Sequence, residues 1–144
     1  MYKMIIVDDE QAIRQGIAHS IPWQVWGFEI AGLYANGQEA LDSIRKDPPD
    51  VVLSDIRMPK MDGVELMQIL SSEFPGVHVI ILSGYSDFEY LNMSIRNNVM
   101  EYLLKPTDVD EFEQTFRRIR EKLDVEKRKA EEYSILVEVQ NAQR

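Results

Sequence analysis

Short apolar runs alternate with amphipathic stretches along the chain. Residues 2–7 (YKMIIV) form the first apolar run, which stops at Asp8-Asp9-Glu10 and gives way to a helical stretch ending near Ser20. Residues 28–34 (FEIAGLY) predict a second strand. Asn36-Gly37-Gln38-Glu39 then opens a helix to about Lys46, with Asn36 as cap and Glu39 at the third helical position. Pro48-Pro49 breaks that helix, since proline lacks the N–H and crowds the preceding turn. Residues 51–53 (VVL) predict a third strand ending at Ser54-Asp55. Asp62-Gly63-Val64-Glu65 repeats the capping pattern and starts a helix that stops near Phe74-Pro75-Gly76. Residues 77–82 (VHVIIL) predict the fourth strand, ending at Ser83-Gly84. Ser86-Asp87-Phe88-Glu89 is a further capping box, and Asn97-Asn98 closes the helix it opens. Residues 99–104 (VMEYLL) predict the fifth strand, with Thr107 or Asp108 capping the last helix.

Five strand–helix repeats with near-continuously apolar strands imply a parallel sheet covered on both faces. Right-handed crossovers leave few topologies, and the leading one is a flavodoxin-like α/β fold, (βα)5, with strand order 2-1-3-4-5 and an extended C-terminal helix. Ligands of such sheets sit outside the carboxyl ends of the strands. The residues at those ends therefore decide the chemistry.

Composition narrows the classes. The 144 residues carry 16 Lys and Arg against 25 Asp and Glu, a net charge of −9, which disfavours nucleic acid as a partner of this piece. There is no cysteine, so disulfides, thiol catalysis and thiolate-bound metals are excluded, and His19 and His78 are too few for a histidine-rich zinc site. Both read as structural: His19 on a helix face, His78 in a strand. No apolar run reaches the roughly 18–20 residues of a membrane span, and the N-terminus runs straight into acids, unlike a signal peptide. The expected compartment is the cytoplasm.

Strand one ends in Asp8-Asp9, strand three in Asp55, strand four in Ser83 and strand five in Lys105. A lone Asp in such a place is ordinarily a turn or cap residue, and Asp9 by itself is explained as the cap of the first helix. An acid pair, an acid, a hydroxyl and a lysine on four strand ends of one sheet are not explained that way. Three carboxylates brought together repel unless a cation joins them, and Mg²⁺ favours a few carboxylates with water and phosphate oxygens. Lys105 supplies a point charge for a phosphoryl group and Ser83 a hydroxyl. The reaction class this implies is phosphoryl transfer onto an aspartate.

The motifs IIVDDE (5–10), SDIRMPKMDGVEL (54–66), ILSGYSDFEY (81–90) and EYLLKP (101–106) resemble the receiver domains of two-component response regulators, over about residues 2–122. The resemblance implies that Asp55 is the phosphorylated residue. It implies that Asp8, Asp9, Asp55 and the backbone carbonyl of Arg57 hold Mg²⁺, and that Lys105 binds the phosphoryl group. Ser83 and Tyr102 would be the switch pair, Tyr102 moving as Ser83 is drawn to the phosphoryl group. A sensor histidine kinase would be the donor, and the chain no enzyme beyond promoting its own phosphorylation and dephosphorylation. Arg57 and Tyr85, two positions beyond Asp55 and Ser83, are expected to shield the acyl phosphate from water. The IPWQVWGFEI stretch (21–30) and the SGYSDFEY wording are most similar to regulators with a C-terminal AraC-type helix-turn-helix domain. Asn97-Asn98 stands where that family usually has Gly, a change that asparagine's tolerance of left-handed backbone absorbs.

From Phe112 the apolar pattern steps by four and three through Phe116, Ile119 and Leu123, then Glu126, Ala130, Tyr133, Val137 and Gln140, a heptad seam with two polar interruptions. Residues 1–122 are expected to be the receiver domain, and residues 123–144 a linker helix leading to an effector domain absent from this piece. That helix either projects and pairs with a second copy as a coiled coil, or frays; contact with DNA would come only through the absent domain. Two other readings stay open. One is a stand-alone receiver adaptor acting on a protein partner. The other is an aspartate-nucleophile phosphatase of the haloacid dehalogenase type, against which stands Asp8-Asp9-Glu10-Gln11 in place of D-x-D.

Overall fold

A computed structural model describes residues 1–84, 99–105 and 107–143. Five strands, β1 (Tyr2–Val7), β2 (Phe28–Tyr34), β3 (Val51–Asp55), β4 (His78–Ser83) and β5 (Val99–Leu104), form one sheet. All neighbours run parallel in the order β2-β1-β3-β4-β5. Four helices stand among the described residues: α1 (Gln11–Ser20), α2 (Gly37–Lys46), α3 (Gly63–Glu73) and α4 (Val109–Ala142). The flavodoxin-like topology expected from the sequence is the one observed. The helix opened by Ser86 and closed by Asn97-Asn98, and with it Tyr85, lies outside the described residues.

Strand side chains alternate between two buried cores, as a period of two requires. Ile5, Val7, Val52 and Ile81 face Ala40, Leu41 and Ile44 of α2 and Leu66, Met67 and Leu70 of α3. Met4, Ile6, Leu53, Ile80 and Leu82 face Phe112, Phe116, Ile119 and Leu123 of α4. The turn between α1 and β2 closes this second core. Trp23 is 3% exposed, its ring centroid 4.7 Å from that of Phe116, and its Nε1 donates to the carbonyl of Ile17. Within residues 21–30, Trp23 and Phe28 thus form an aromatic plug against α4.

The caps follow the residue types that make them. Asn36, Asp62 and Asp108 accept from the N–H groups of Glu39, Glu65 and Glu111. Of the two candidates for the last helix, Asp108 is the cap. The first helix differs from expectation: Glu10 occupies its N-cap without a side-chain bond, and Asp8 Oδ1 instead accepts from Glu10 N–H at 2.9 Å. Asp9 is therefore not the cap. β4 starts one residue late, at His78, because Val77 N–H closes a turn onto the carbonyl of Phe74.

α4 runs unbroken to Ala142, the extended C-terminal helix expected from the sequence. Its inward face stays tied to the lower edge of the sheet for about two turns beyond Ile119. Leu123 is buried, Tyr2 Oη donates to Asp124 Oδ1 at 2.5 Å, and His78 Nε2 lies 2.7 Å from Glu126 Oε2. Burial first, then the Asp124 carboxylate, pushes the Tyr2 phenol up to about 12. Further on, Tyr133, Ile135, Leu136 and Val139 are exposed. His19 lies on the exposed face of α1 beside Gln15.

Candidate functional site

Parallel strands deliver their carboxyl ends to one edge, and the predicted residues meet there. Asp8 follows β1, Asp55 ends β3, Ser83 ends β4 and Lys105 follows β5. One carboxylate oxygen from each of Asp8, Asp9 and Asp55 lies within 4.8 Å of the others. Lys105 Nζ stands 3.3 Å from Asp8 Oδ2 and 3.3 Å from Asp55 Oδ1. Asp8 and Asp55 are buried, whereas Asp9 is exposed. Lys105 N–H also donates to the carbonyl of Ser83, fixing the two strand ends against each other.

Main-chain contacts hold the acids in place. Asp8 N–H donates to the carbonyl of Tyr34 on β2, and Arg14 Nη1 donates to the carbonyl of Asp8 at 2.6 Å. Asp55 Oδ1 accepts from Ile56 N–H at 2.8 Å, and Ser54 Oγ donates to the Asp55 carbonyl. Ser83 is fully buried, and among the described residues its Oγ is the buried side-chain polar atom without a hydrogen-bond partner. An orphaned hydroxyl in such a place is costly by roughly 1–3 kcal/mol unless a ligand engages it. Tyr102 is 45% exposed on β5, in register with Ile81 rather than with Ser83. Arg57 is exposed in the loop after β3.

Burial above all, and then the Asp8 charge, pushes the Asp55 carboxyl up to about 6, with Lys105 and the Ile56 N–H opposing. Burial alone would lower the Lys105 pKa, but attraction to Asp55 and Asp8 outweighs it and the net direction is up. The pocket thus holds more negative charge than its one lysine balances. Clustered hard oxygen donors with surplus negative charge fit a divalent cation such as Mg²⁺.

Two glycines set the loop that shapes the pocket. A Cβ built on Gly63 would fall on the carbonyl oxygen of Asp55 and within 3.0 Å of Ile56 Cα. One on Gly37 would lie 2.7 Å from the carbonyl oxygen of Met61. Neither neighbour is the end of a flexible side chain, so the backbone must move. Gly63→Ala is expected to destabilise the fold by about 1–3 kcal/mol and to displace Asp55. Thermal melts with and without Mg²⁺ read both effects, and a wild-type melting temperature with a wild-type Mg²⁺ response would contradict this. The sequence reading missed Gly63 and Arg14. The glycine after the cap Asp62 was a visible cue for the first; nothing local signals the second.

Residues 4–117 match the response regulator receiver domain. The chain is 43% identical over 113 residues to an uncharacterized response regulatory protein of Staphylococcus epidermidis, covering 78% of this chain and 44% of that protein. It is 38% identical over 132 residues to the uncharacterized transcriptional regulatory protein YesN of Bacillus subtilis, covering 90% of this chain and 36% of the relative. The chain spans less than half the length of these curated relatives. Among solved structures, it is similar to the REC domain of AraT, a response regulator from Geobacillus stearothermophilus, at a TM-score of 0.82 and 38% identity, covering 88% of this chain and 98% of that one. It is also similar to a two component transcriptional regulator AraC from Clostridium phytofermentans, at 0.76 and 36%, covering 82% and 92%. No helix among the described residues is long and apolar enough to cross a membrane. Sheet order, strand-end chemistry and sequence likeness lead to one conclusion: the chain belongs to the response regulator receiver domain family.

Proposed function

We propose that this chain is the phosphorylation-activated switch of a two-component transcription regulator, with Asp55 accepting a phosphoryl group from a sensor histidine kinase. The observation that carries this reading is the lysine equidistant from two buried acids, Lys105 Nζ at 3.3 Å from both Asp8 and Asp55. Near neutral pH Asp55 is mostly ionised and nucleophilic, since its pKa of about 6 lies below the working pH. Its carboxylate oxygen bonds to phosphorus as the phosphorus–nitrogen bond of a phosphohistidine breaks, and the imidazole leaves with the electron pair. Lys105 meets charge that develops on the phosphoryl oxygens. Asp8, Asp9, Asp55 and the Arg57 carbonyl would hold Mg²⁺, which when bound would supply the remaining charge neutralisation.

The product adds a charge of about −1.5 to −2 to the pocket. Ser83 Oγ, without a hydrogen-bond partner among the described residues, donates to the new oxygens, and Tyr102 moves from its exposed position toward Ser83. A few kcal/mol of such differential contact shifts a two-state equilibrium. Arg57 slows hydrolysis by covering the acyl phosphate; the matching proposal for Tyr85 concerns a residue outside the described ones. The chain acts in the cytoplasm as a switch rather than an enzyme with a separate substrate.

We assign residues 1–122 to the receiver and residues 123–144 to a linker helix preceding an AraC-type DNA-binding domain. The exposed apolar side chains Tyr133, Leu136 and Val139 support pairing of that helix with a second copy. Sedimentation of wild type and a Leu136→Glu variant tests this, and a monomer at all concentrations would refute it.

Intact mass after incubation with acetyl phosphate tests the function. One phosphoryl group is expected with Mg²⁺ and none after chelation. Lys105→Ala is expected to slow uptake about 10²-fold, the loss typical of one charge-stabilising donor. Uptake that is indifferent to chelation and to Lys105 would overturn the reading.

A further inference from the structure

α1 is unusual among the four described helices, for it has no fully buried residue. Ile17 and Ala18 pack its C-terminal half against the second core, while its N-terminal end meets the site through two polar contacts, both on Asp8. One is the Asp8 Oδ1 bond to Glu10 N–H. The other, at 2.6 Å, runs from the guanidinium of half-buried Arg14 to the Asp8 main-chain carbonyl. That carbonyl belongs to the peptide joining Asp8 to Asp9. With this plane held by Arg14 and the following Asp9–Glu10 peptide held through Glu10 N–H on Asp8 Oδ1, both peptides flanking Asp9 are restrained, and with them the direction in which its side chain leaves the chain. Asp8 has further anchors, through its N–H on Tyr34 and its Oδ2 on Lys105. Asp9 is exposed, and the contacts that restrain its backbone are these two, one on each flanking peptide.

We infer that Arg14 is a positioning residue that clamps the Asp8–Asp9 peptide and so presets the Asp9 carboxylate for the divalent cation. This deepens the proposed function and rests on it. Charge and geometry make opposite demands on the same substitution. As a cation beside a cation site, Arg14 repels the metal, so removing its charge alone would tighten Mg²⁺ binding. If the clamp dominates, removal loosens it. Partners that orient metal ligands from behind typically change affinity 10–100-fold when removed. The clamp is therefore expected to win, and the sign of the change reports which effect prevails.

The test is calorimetric titration of Mg²⁺ into wild type, Arg14→Ala, Arg14→Lys, Asp9→Asn and the Arg14→Ala/Asp9→Asn double variant, with urea melts of each in chelator. Arg14→Ala is expected to weaken binding at least 10-fold, with Arg14→Lys between it and wild type because lysine keeps the charge and a donor but not the reach of the planar guanidinium. In the Asp9→Asn background the same Arg14→Ala change is expected to have little further effect, since there is no carboxylate left to aim. Unchanged or tighter binding by Arg14→Ala overturns the inference, as does full additivity with Asp9→Asn. Should Arg14→Ala fail to fold, Arg14→Lys carries the test, and wild-type affinity in that variant overturns the clamp. Absence of Mg²⁺ binding by wild type overturns the reading beneath it, and this inference with it.

Discussion

Asp55→Asn is expected to abolish phosphoryl uptake and, in the metal-free protein above pH 6, to make the fold more stable. The two effects have one cause. A carboxylate that is buried beside Asp8 is a strong nucleophile site and a poor structural element. Its pKa rises from 3.8 to about 6, so the folded chain holds this proton more tightly than the unfolded chain does. The stability contributed by Asp55 is therefore complete below about pH 4 and is lost as the pH rises through 6. Each pKa unit corresponds to about 1.4 kcal/mol, so after allowance for the group's residual solvent contact the variant gains on the order of 2 kcal/mol at pH 7.5. Asparagine has the same shape and keeps an oxygen for the Ile56 N–H. Urea melts of both proteins in chelator, at pH 7.5 and pH 4, should show the difference at the higher value and its near-disappearance at the lower. A gap that widens with acid would contradict the assignment of the shift.

Phe116→Ala is expected to have the largest structural effect, about 3–5 kcal/mol of lost stability. Phe116 is fully buried between the sheet and the aromatic plug, with ring centroids 4.7 Å from Trp23 and 5.3 Å from Phe28, both edge-to-face. Such pairs add roughly 0.5–1.5 kcal/mol each beyond burial. For a domain whose net stability is about 5–15 kcal/mol, this loss leaves a marginal fold. Val125→Ala, on the same helix but 38% exposed, is the control and should lie within about 0.5 kcal/mol of wild type. Denaturation followed by the fluorescence of Trp23 and Trp26 distinguishes the two. Equal losses would mean that α4 does not pack through the face described.

The sheet and its strand ends were legible because both are local signals. An uninterrupted run such as VVLSD admits one burial pattern, and caps such as Asn36 and Asp62 act within three residues. Once the strand order is fixed, residues ending parallel strands must share an edge, so Asp8, Asp55, Ser83 and Lys105 were brought together by topology. What escaped depends on where elements cross in space. The contact of Arg14 with the Asp8 carbonyl depends on how α1 leaves β1, and the pairing of His78 with Glu126 depends on how far α4 runs past the sheet. The identity of the α1 cap was obscured because Asp8 satisfies the Glu10 N–H from outside the helix, which leaves Asp9 to join the acidic cluster. The seam of α4 packs on the sheet through Leu123 and still reaches it at Glu126, which meets His78; farther on, Tyr133, Ile135, Leu136 and Val139 are exposed.

The phosphoryl acceptor itself can be located by chemistry. An acyl phosphate on an aspartate is reduced by borohydride to homoserine, so the chain would be phosphorylated with acetyl phosphate and Mg²⁺, reduced, digested and sequenced by mass spectrometry. Homoserine at position 55, absent when Mg²⁺ is chelated and absent from Asp55→Asn, is the expected result. Homoserine at any other acid, or at none, would contradict the account.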